Sequence, residues 1–236
     1  MDSIIFAGCS FTYGEGLWRE TGDTKQNSVN QKYLIDNRWL TKVSNHFGIT
    51  PITKEHNGGN HIWTMRYVLQ EIDAITWNST TPKLVIFQTT QFGRHEMSID
   101  EQIEQLEKMV IKVEAKNIPI RFIHWVWPDI NDEEMEIWKT EYLSKLSPWS
   151  FMDKRIPPYD ANKISSKLIR DRTIYILNEF NFEKMVNHKD AHTKGTLAKK
   201  YTLAGKFGCG DFHMNQEGHN VLANEIINYI EKNKLL

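Results

Sequence analysis

Ile4-Ile5-Phe6-Ala7-Gly8, followed at once by Cys9-Ser10-Phe11-Thr12-Tyr13-Gly14-Glu15-Gly16-Leu17, is the stretch on which the fold turns. The apolar run is too short for a helix and predicts a buried strand ending in a turn. Leu84-Val85-Ile86-Phe87 repeats the pattern, as does Ile118 to Trp127, which is β-branched and aromatic and is closed by Pro128. Ile49 to Lys54 reads as one more strand. Helical patterns separate these runs. Leu40, Val43 and Phe47 mark a helix over about Tyr33 to Phe47, with Gly48 as its stop. Ile62, Met65, Leu69, Ile72 and Ile75 mark a second helix. Ile99, Ile103, Leu106, Val110 and Val113 mark a third, opened by the capping box Ser98 and Glu101. Strands joined through helices need crossover connections, so the fold class is α/β, a parallel sheet covered by helices on both faces.

The second half is less regular. Asp132 to Leu146 and Asn162 to Phe180 read as helices, broken apart by Pro148, Pro157 and Pro158. Glu183 to Lys206 is lysine-rich with poor periodicity, and reads as a solvated loop or extension. Asn215 is an N-cap for a last helix whose buried stripe is Leu222, Ala223, Ile226 and Ile230. A chain of 236 residues allows one large domain or two small ones. No linker divides it, so the expectation is one domain over 1–236 with an insertion at about 129–209.

Composition excludes several classes. With a formal net charge of −1, the chain lacks the bulk field that draws nucleic acid or anionic lipid, and neither partner is expected. Cys9 and Cys209 are too few for a disulfide framework or a thiolate zinc site. No stretch approaches the roughly 18 apolar residues of a membrane span. Asp2 stands where a secretion signal wants a base, so a cytoplasmic location is expected.

Two segments carry candidate chemistry. Gly8 to Leu17 follows the first strand, and the carboxyl ends of strands border the ligand crevice of an open parallel sheet. Ser10 there is a candidate nucleophile. The segment lacks the Lys-Ser/Thr pair of a phosphate-binding loop and the glycine spacing of a dinucleotide site. The second segment is Gly210-Asp211-Phe212-His213-Met214-Asn215-Gln216-Glu217-Gly218-His219, just before the last helix. Serine needs a base within about 3 Å to take its proton, histidine suits that task near neutral pH, and a carboxylate such as Asp211 can orient the imidazole.

Taken together the two segments resemble the SGNH, or GDSL-type, hydrolases. Gly8-Cys9-Ser10-Phe11-Thr12-Tyr13-Gly14 is similar to the family's Gly-Asp-Ser block, with Cys9 in place of the acid. His213 and Gly218 match the histidine and downstream glycine of its last block, and Ala223 matches the alanine of the helix that follows. The resemblance implies a three-layer α/β/α sandwich with a flavodoxin-like parallel sheet. It implies a serine esterase acting on an O-acyl ester, such as an acetyl ester, of a carbohydrate or small molecule, through an acyl-enzyme. Ser10, His213 and Asp211 are then the catalytic residues. The family's oxyanion hole combines the serine N–H, a glycine N–H and an asparagine amide. Asn57-Gly58-Gly59-Asn60 resembles the glycine block, with Gly59 as the donor and Gly58 as the alternative.

Two departures accompany the match. Where the family has Gly-x-Asn-Asp after the third strand, this chain has Gln88-Thr89-Thr90-Gln91. Gln91 offers an amide on a longer stem, Thr90 offers a hydroxyl, and Asn60 offers an amide from the neighbouring loop. The family acid lies three residues before the histidine, where this chain has Gly210, and Asp211 lies two before. An acyltransferase using the same residues is the alternative enzyme, and a binding module with an impaired third block is the alternative outside enzymes. No metal or cofactor is implied.

Other residues invite weaker readings. His188 and His192 have a spacing that suits a metal on one helix face, but no third ligand is nearby. His124, Trp125 and Trp127 end the fourth strand and read as crevice lining or core. Trp18 reads as a flank for an acyl or sugar group. Arg94 and Glu96 follow the third strand at the same rim. His219 reads as packing against the last helix.

Overall fold

The computed structural model describes residues 2–23, 26–55, 60–75, 80–89, 97–124, 166–174 and 213–236. Its strands are β1 (Asp2–Gly8), β2 (Thr50–Glu55), β3 (Thr81–Thr89) and β4 (Ile120–His124). All pair in parallel, in the order β2-β1-β3-β4. The register sets Ile5 beside Val85 and Val85 beside Ile120, so the apolar runs of three strands lie side by side.

Alternation along the strands builds two cores. Ile4 and Phe6 of β1, Leu84 and Ile86 of β3 and Ile123 of β4 face one side. There they meet α3 (Trp39–Phe47) and the C-terminal helix α7 (Gln216–Asn233). Ile5, Ala7, Val85, Phe87, Ile120 and Phe122 face the other side, against α4 (His61–Asp73) and α5 (Ile99–Glu114). The result is the expected three-layer α/β/α arrangement. Both faces being covered explains why β1 and β3 read as unbroken apolar runs. Edge-on aromatic pairs lock each layer: Phe6 with Trp39 at 5.4 Å and Phe87 with Phe122 at 5.8 Å.

Most helix boundaries follow local signals. Ser98 and Glu101 form the reciprocal capping box at the start of α5. Gly48 ends α3 in the left-handed region. Asn215 caps α7 by accepting from the Gly218 N–H at 2.9 Å. In α4 the fully buried stripe includes Val68 beside Ile62, Met65 and Ile72, while Leu69 is only half-buried.

Two expectations are corrected. The helix read over about Tyr33 to Phe47 is two helices, α2 (Ser28–Asn37) and α3. They meet at Arg38, whose backbone is extended. Neither glycine nor proline marks the break. It lets Trp39 drop into the core, and its N–H finds an acceptor in His219 Nδ1 at 3.2 Å. The helix read over Asn162 to Phe180 is, within 166–174, only a single turn, α6 (Lys167–Arg170). The chain beyond it turns extended, and Thr173 forms a parallel bridge with Phe122. The outer edge of β4 is thereby paired: Phe122 N–H donates to Arg172 O at 2.9 Å, and Ile174 N–H donates to Phe122 O at 2.8 Å. Thr173 so occupies a fifth position, continuing the flavodoxin-like order. The helix read over Asp132 to Leu146, and the rest of the 129–209 segment, lie outside the described residues. Among the described residues no helix is long and apolar enough to cross a membrane.

Candidate active site

The chain leaves β1 for β2 on one side of it, and β3 lies on the other. At such a switch point the connections diverge and a crevice opens beyond the carboxyl ends of the strands. Ser10 sits there. Cys9 is extended, and the carbonyl of Cys9 accepts from the N–H groups of both Thr12 and Tyr13 at 3.0 Å. This winds one helical turn, α1 (Ser10–Tyr13), with Ser10 as its first residue. Gly14 closes the turn with φ of 87°, and its N–H returns to Ser10 O at 2.9 Å. The positive φ favours glycine at Gly14, where a side chain would also press on Arg38 Cβ at 3.3 Å.

The other half comes from the approach to α7. His213 precedes the Asn215 cap by two residues. Gln216, the first residue of α7, ties that approach to neighbouring elements. Its Nε2 donates to Asn37 O and to Asn220 Oδ1, each at 3.1 Å. Its Oε1 accepts from the Tyr33 hydroxyl at 3.2 Å. The two halves meet in one contact: His213 Nε2 lies 2.8 Å from Ser10 Oγ, across 203 positions of chain. Ser10 is almost wholly buried, and His213 is half-buried. A hydroxyl at that distance from an unprotonated imidazole nitrogen can pass its proton across on attack at an electrophile.

Behind this pair lies His219. It is fully buried, and its pKa is pushed down to about 3, first by burial and then by electrostatic repulsion, led by Lys42. It stays neutral, and its Nδ1 is free to accept from Trp39. Its placement in the first turns of α7 agrees with the packing role read from sequence.

Beneath α1, the Thr12 hydroxyl donates to Gln88 Oε1. Both side chains are buried. The contact fills the space beside Gly8, where a Cβ would collide with the Thr12 hydroxyl and lie 2.9 Å from Gln88 Cβ. Sequence reading noted Gln88 only as a departure from the family block and gave it no role, although its parity with Leu84 and Ile86 places it on the face of β3 that α3 and α7 cover.

Asp211, Gly58, Gly59, Thr90 and Gln91 lie outside the described residues, as do Arg94, Glu96, Trp125, Trp127, His188 and His192. So does the side chain of His124. Asn60 is the N-cap of α4, and its Oδ1 accepts from the Trp63 N–H at 3.0 Å. Trp18 lies on the 3-10 turn Leu17–Thr21, half-buried, with the Arg19 guanidinium 5.6 Å from its ring centre.

Neither a protein-family model nor a curated protein matches the chain. Solved structures do. The psychrotrophic esterase EstA from Pseudoalteromonas sp. superposes with a TM-score of 0.51, over 98% of this chain and 97% of its own, at 12% identity. A GDSL-like lipase from Bacteroides thetaiotaomicron superposes with a TM-score of 0.52, over 98% of this chain and 88% of its own, at 15% identity. This chain has the GDSL-like lipase and esterase fold. The sheet order β2-β1-β3-β4 and the three layers agree with that assignment. In this GDSL-like fold, Ser10 and His213 occupy the end of β1 and the approach to the last helix.

Proposed function

We propose that the protein is a serine esterase that hydrolyses an O-acyl ester of a carbohydrate or small molecule, with Ser10 as nucleophile and His213 as general base. The observation that carries the proposal is the 2.8 Å contact between Ser10 Oγ and His213 Nε2. The shared fold supports it, since both superposed proteins are described as an esterase or a GDSL-like lipase.

The reaction follows from that pair. Ser10 Oγ attacks the ester carbonyl carbon as its proton moves to His213 Nε2. The carbonyl oxygen takes up the negative charge of the tetrahedral species. Collapse breaks the acyl–oxygen bond, and the leaving alkoxide takes the proton back from His213. Water then attacks the Ser10 acyl-enzyme, again losing a proton to His213. The acid is released and the Ser10 hydroxyl restored. Donors aimed at the developing oxyanion are worth several kcal/mol in such reactions. In this reading they are the Ser10 N–H, which as the first N–H of α1 has no acceptor within the helix, the Gly59 N–H and the Gln91 amide. Asp211 is assigned to hold the second imidazole nitrogen. No step calls for a metal or cofactor.

Hydrolysis of an activated acetyl ester tests the reading. Ser10→Ala and His213→Ala are each expected to lower kcat by about 10³-fold or more. A Ser10→Ala variant with wild-type turnover would overturn it.

A further inference from the structure

We propose that Thr12 and Gln88 form a positioning strut that seats the Ser10 turn at the height where its hydroxyl meets His213. The inference rests on the esterase reading above.

Three observations join. Thr12 is buried two residues beyond Ser10 in the same turn, and its hydroxyl donates to Gln88 Oε1 on β3. Gly8, the last residue of β1, leaves no room for a Cβ between them, so the turn is seated against both strand ends. Among the described residues Gln88 Nε2, which is buried, has no hydrogen-bond partner. A buried donor left unpaired is costly, and replacing both partners of such a pair by apolar groups of the same shape is often neutral or stabilising. Packing alone therefore favours an apolar pair here. A polar pair earns its place by direction: a hydrogen bond fixes the angle of the Ser10 turn, and apolar contact does not. Cys9 to Gly14 is a single turn closed on itself by bonds to Cys9 O and Ser10 O, so a tilt at Thr12 carries Ser10 with it. Small displacements of a reacting group reduce turnover steeply.

The test compares wild type with Thr12→Ser, Thr12→Val, Gln88→Met and the Thr12→Val/Gln88→Met double variant. Melting temperature, kcat and KM on an activated acetyl ester, and the ring 15N shifts of His213 are measured for each. The double variant is expected to melt no lower than wild type, yet to lose between about tenfold and about a hundredfold in kcat, with KM within about twofold. Thr12→Ser, which keeps the hydroxyl, is expected to stay within about threefold of wild type. The double variant should also move the His213 Nε2 resonance, as loss of the Ser10 contact in Ser10→Ala is expected to do. Wild-type kcat in a folded double variant would overturn the strut. A wild-type protein with no turnover would sink the esterase reading instead. The strut is then decided by the His213 resonance alone, and an unmoved signal in the double variant rejects it.

Discussion

His219 Nδ1 accepts the backbone N–H of Trp39 at 3.2 Å, joining the start of α3 to the first turns of α7 across 180 positions of chain. The bond requires a neutral ring, and the site enforces one. Burial, reinforced by Lys42, His213 and Arg38, pushes the His219 pKa from 6.5 down to about 3.

That shift sets an acid sensitivity. Between pH 6.5 and about 3 the unfolded chain binds a proton at His219 and the folded chain does not. Stability from this group is therefore fully present above pH 6.5 and falls with pH, by about 1.4 kcal/mol per unit. From pH 6.5 to 5 the loss is about 2 kcal/mol. The hydrogen-bonded carboxylates Asp23, Glu101 and Asp171 are held below their ordinary values, so their stabilisation is lost only at lower pH. His219→Gln keeps an acceptor but cannot titrate. Urea melts at pH 7 and pH 5 are expected to show a smaller acid loss in the variant than in wild type.

Gly8→Ala is expected to cost about 1–3 kcal/mol, because its methyl would overlap the Thr12 hydroxyl and crowd Gln88. The shift should be felt at Ser10 as well, so activity per folded molecule should fall. Urea denaturation beside turnover at a temperature where the variant is folded checks both parts.

Gln216→Leu removes the amide that bonds Asn37 O, Asn220 and Tyr33. Destabilisation of about 1–2 kcal/mol is expected, from half-buried groups left without this partner. Because Gln216 anchors the chain just beyond His213, kcat should fall more than KM rises. Gln216→Glu, which retains the acceptor for Tyr33, should be milder.

Arg172 grips Glu114 with two parallel bonds of 2.7 Å and also donates to Leu168 O at 2.8 Å, pinning the segment beside β4 to α5. Lysine has one charged head and cannot reproduce that fork. Arg172→Lys is expected to lower stability by about 0.5–1 kcal/mol, since the pair is partly exposed. Equilibrium urea unfolding at low and high salt is the check, and the difference should narrow at high salt.

The legibility of this chain follows burial. β1 and β3 were readable because both of their faces are covered, which forces continuous apolar runs. The break at Arg38 was not, because no local residue marks it and the Trp39 N–H just beyond it finds its acceptor in His219, 180 positions further on. Thr173 looked helical because a sheet-edge bridge of one residue has no periodicity to read. Ser10 and His213 were each legible by position, one beyond a buried strand and one before a capped helix. Their meeting was implied by the family resemblance and not by spacing, since 203 positions of chain separate them. Gln88 and Gln216 were given no role because a lone glutamine usually faces water, and only a known packing neighbour reveals otherwise.

Covalent capture of the nucleophile tests the central claim most directly. A fluorophosphonate carries a tetrahedral phosphorus that serine attacks with loss of fluoride, and the superposed Pseudoalteromonas esterase is described as inhibited by monoethylphosphonate. Mass mapping after labelling is expected to place one adduct on Ser10, absent in Ser10→Ala and formed about 10²-fold more slowly or worse in His213→Ala. No adduct on the folded protein, an adduct on another residue, or labelling at an unchanged rate without His213 would contradict the account.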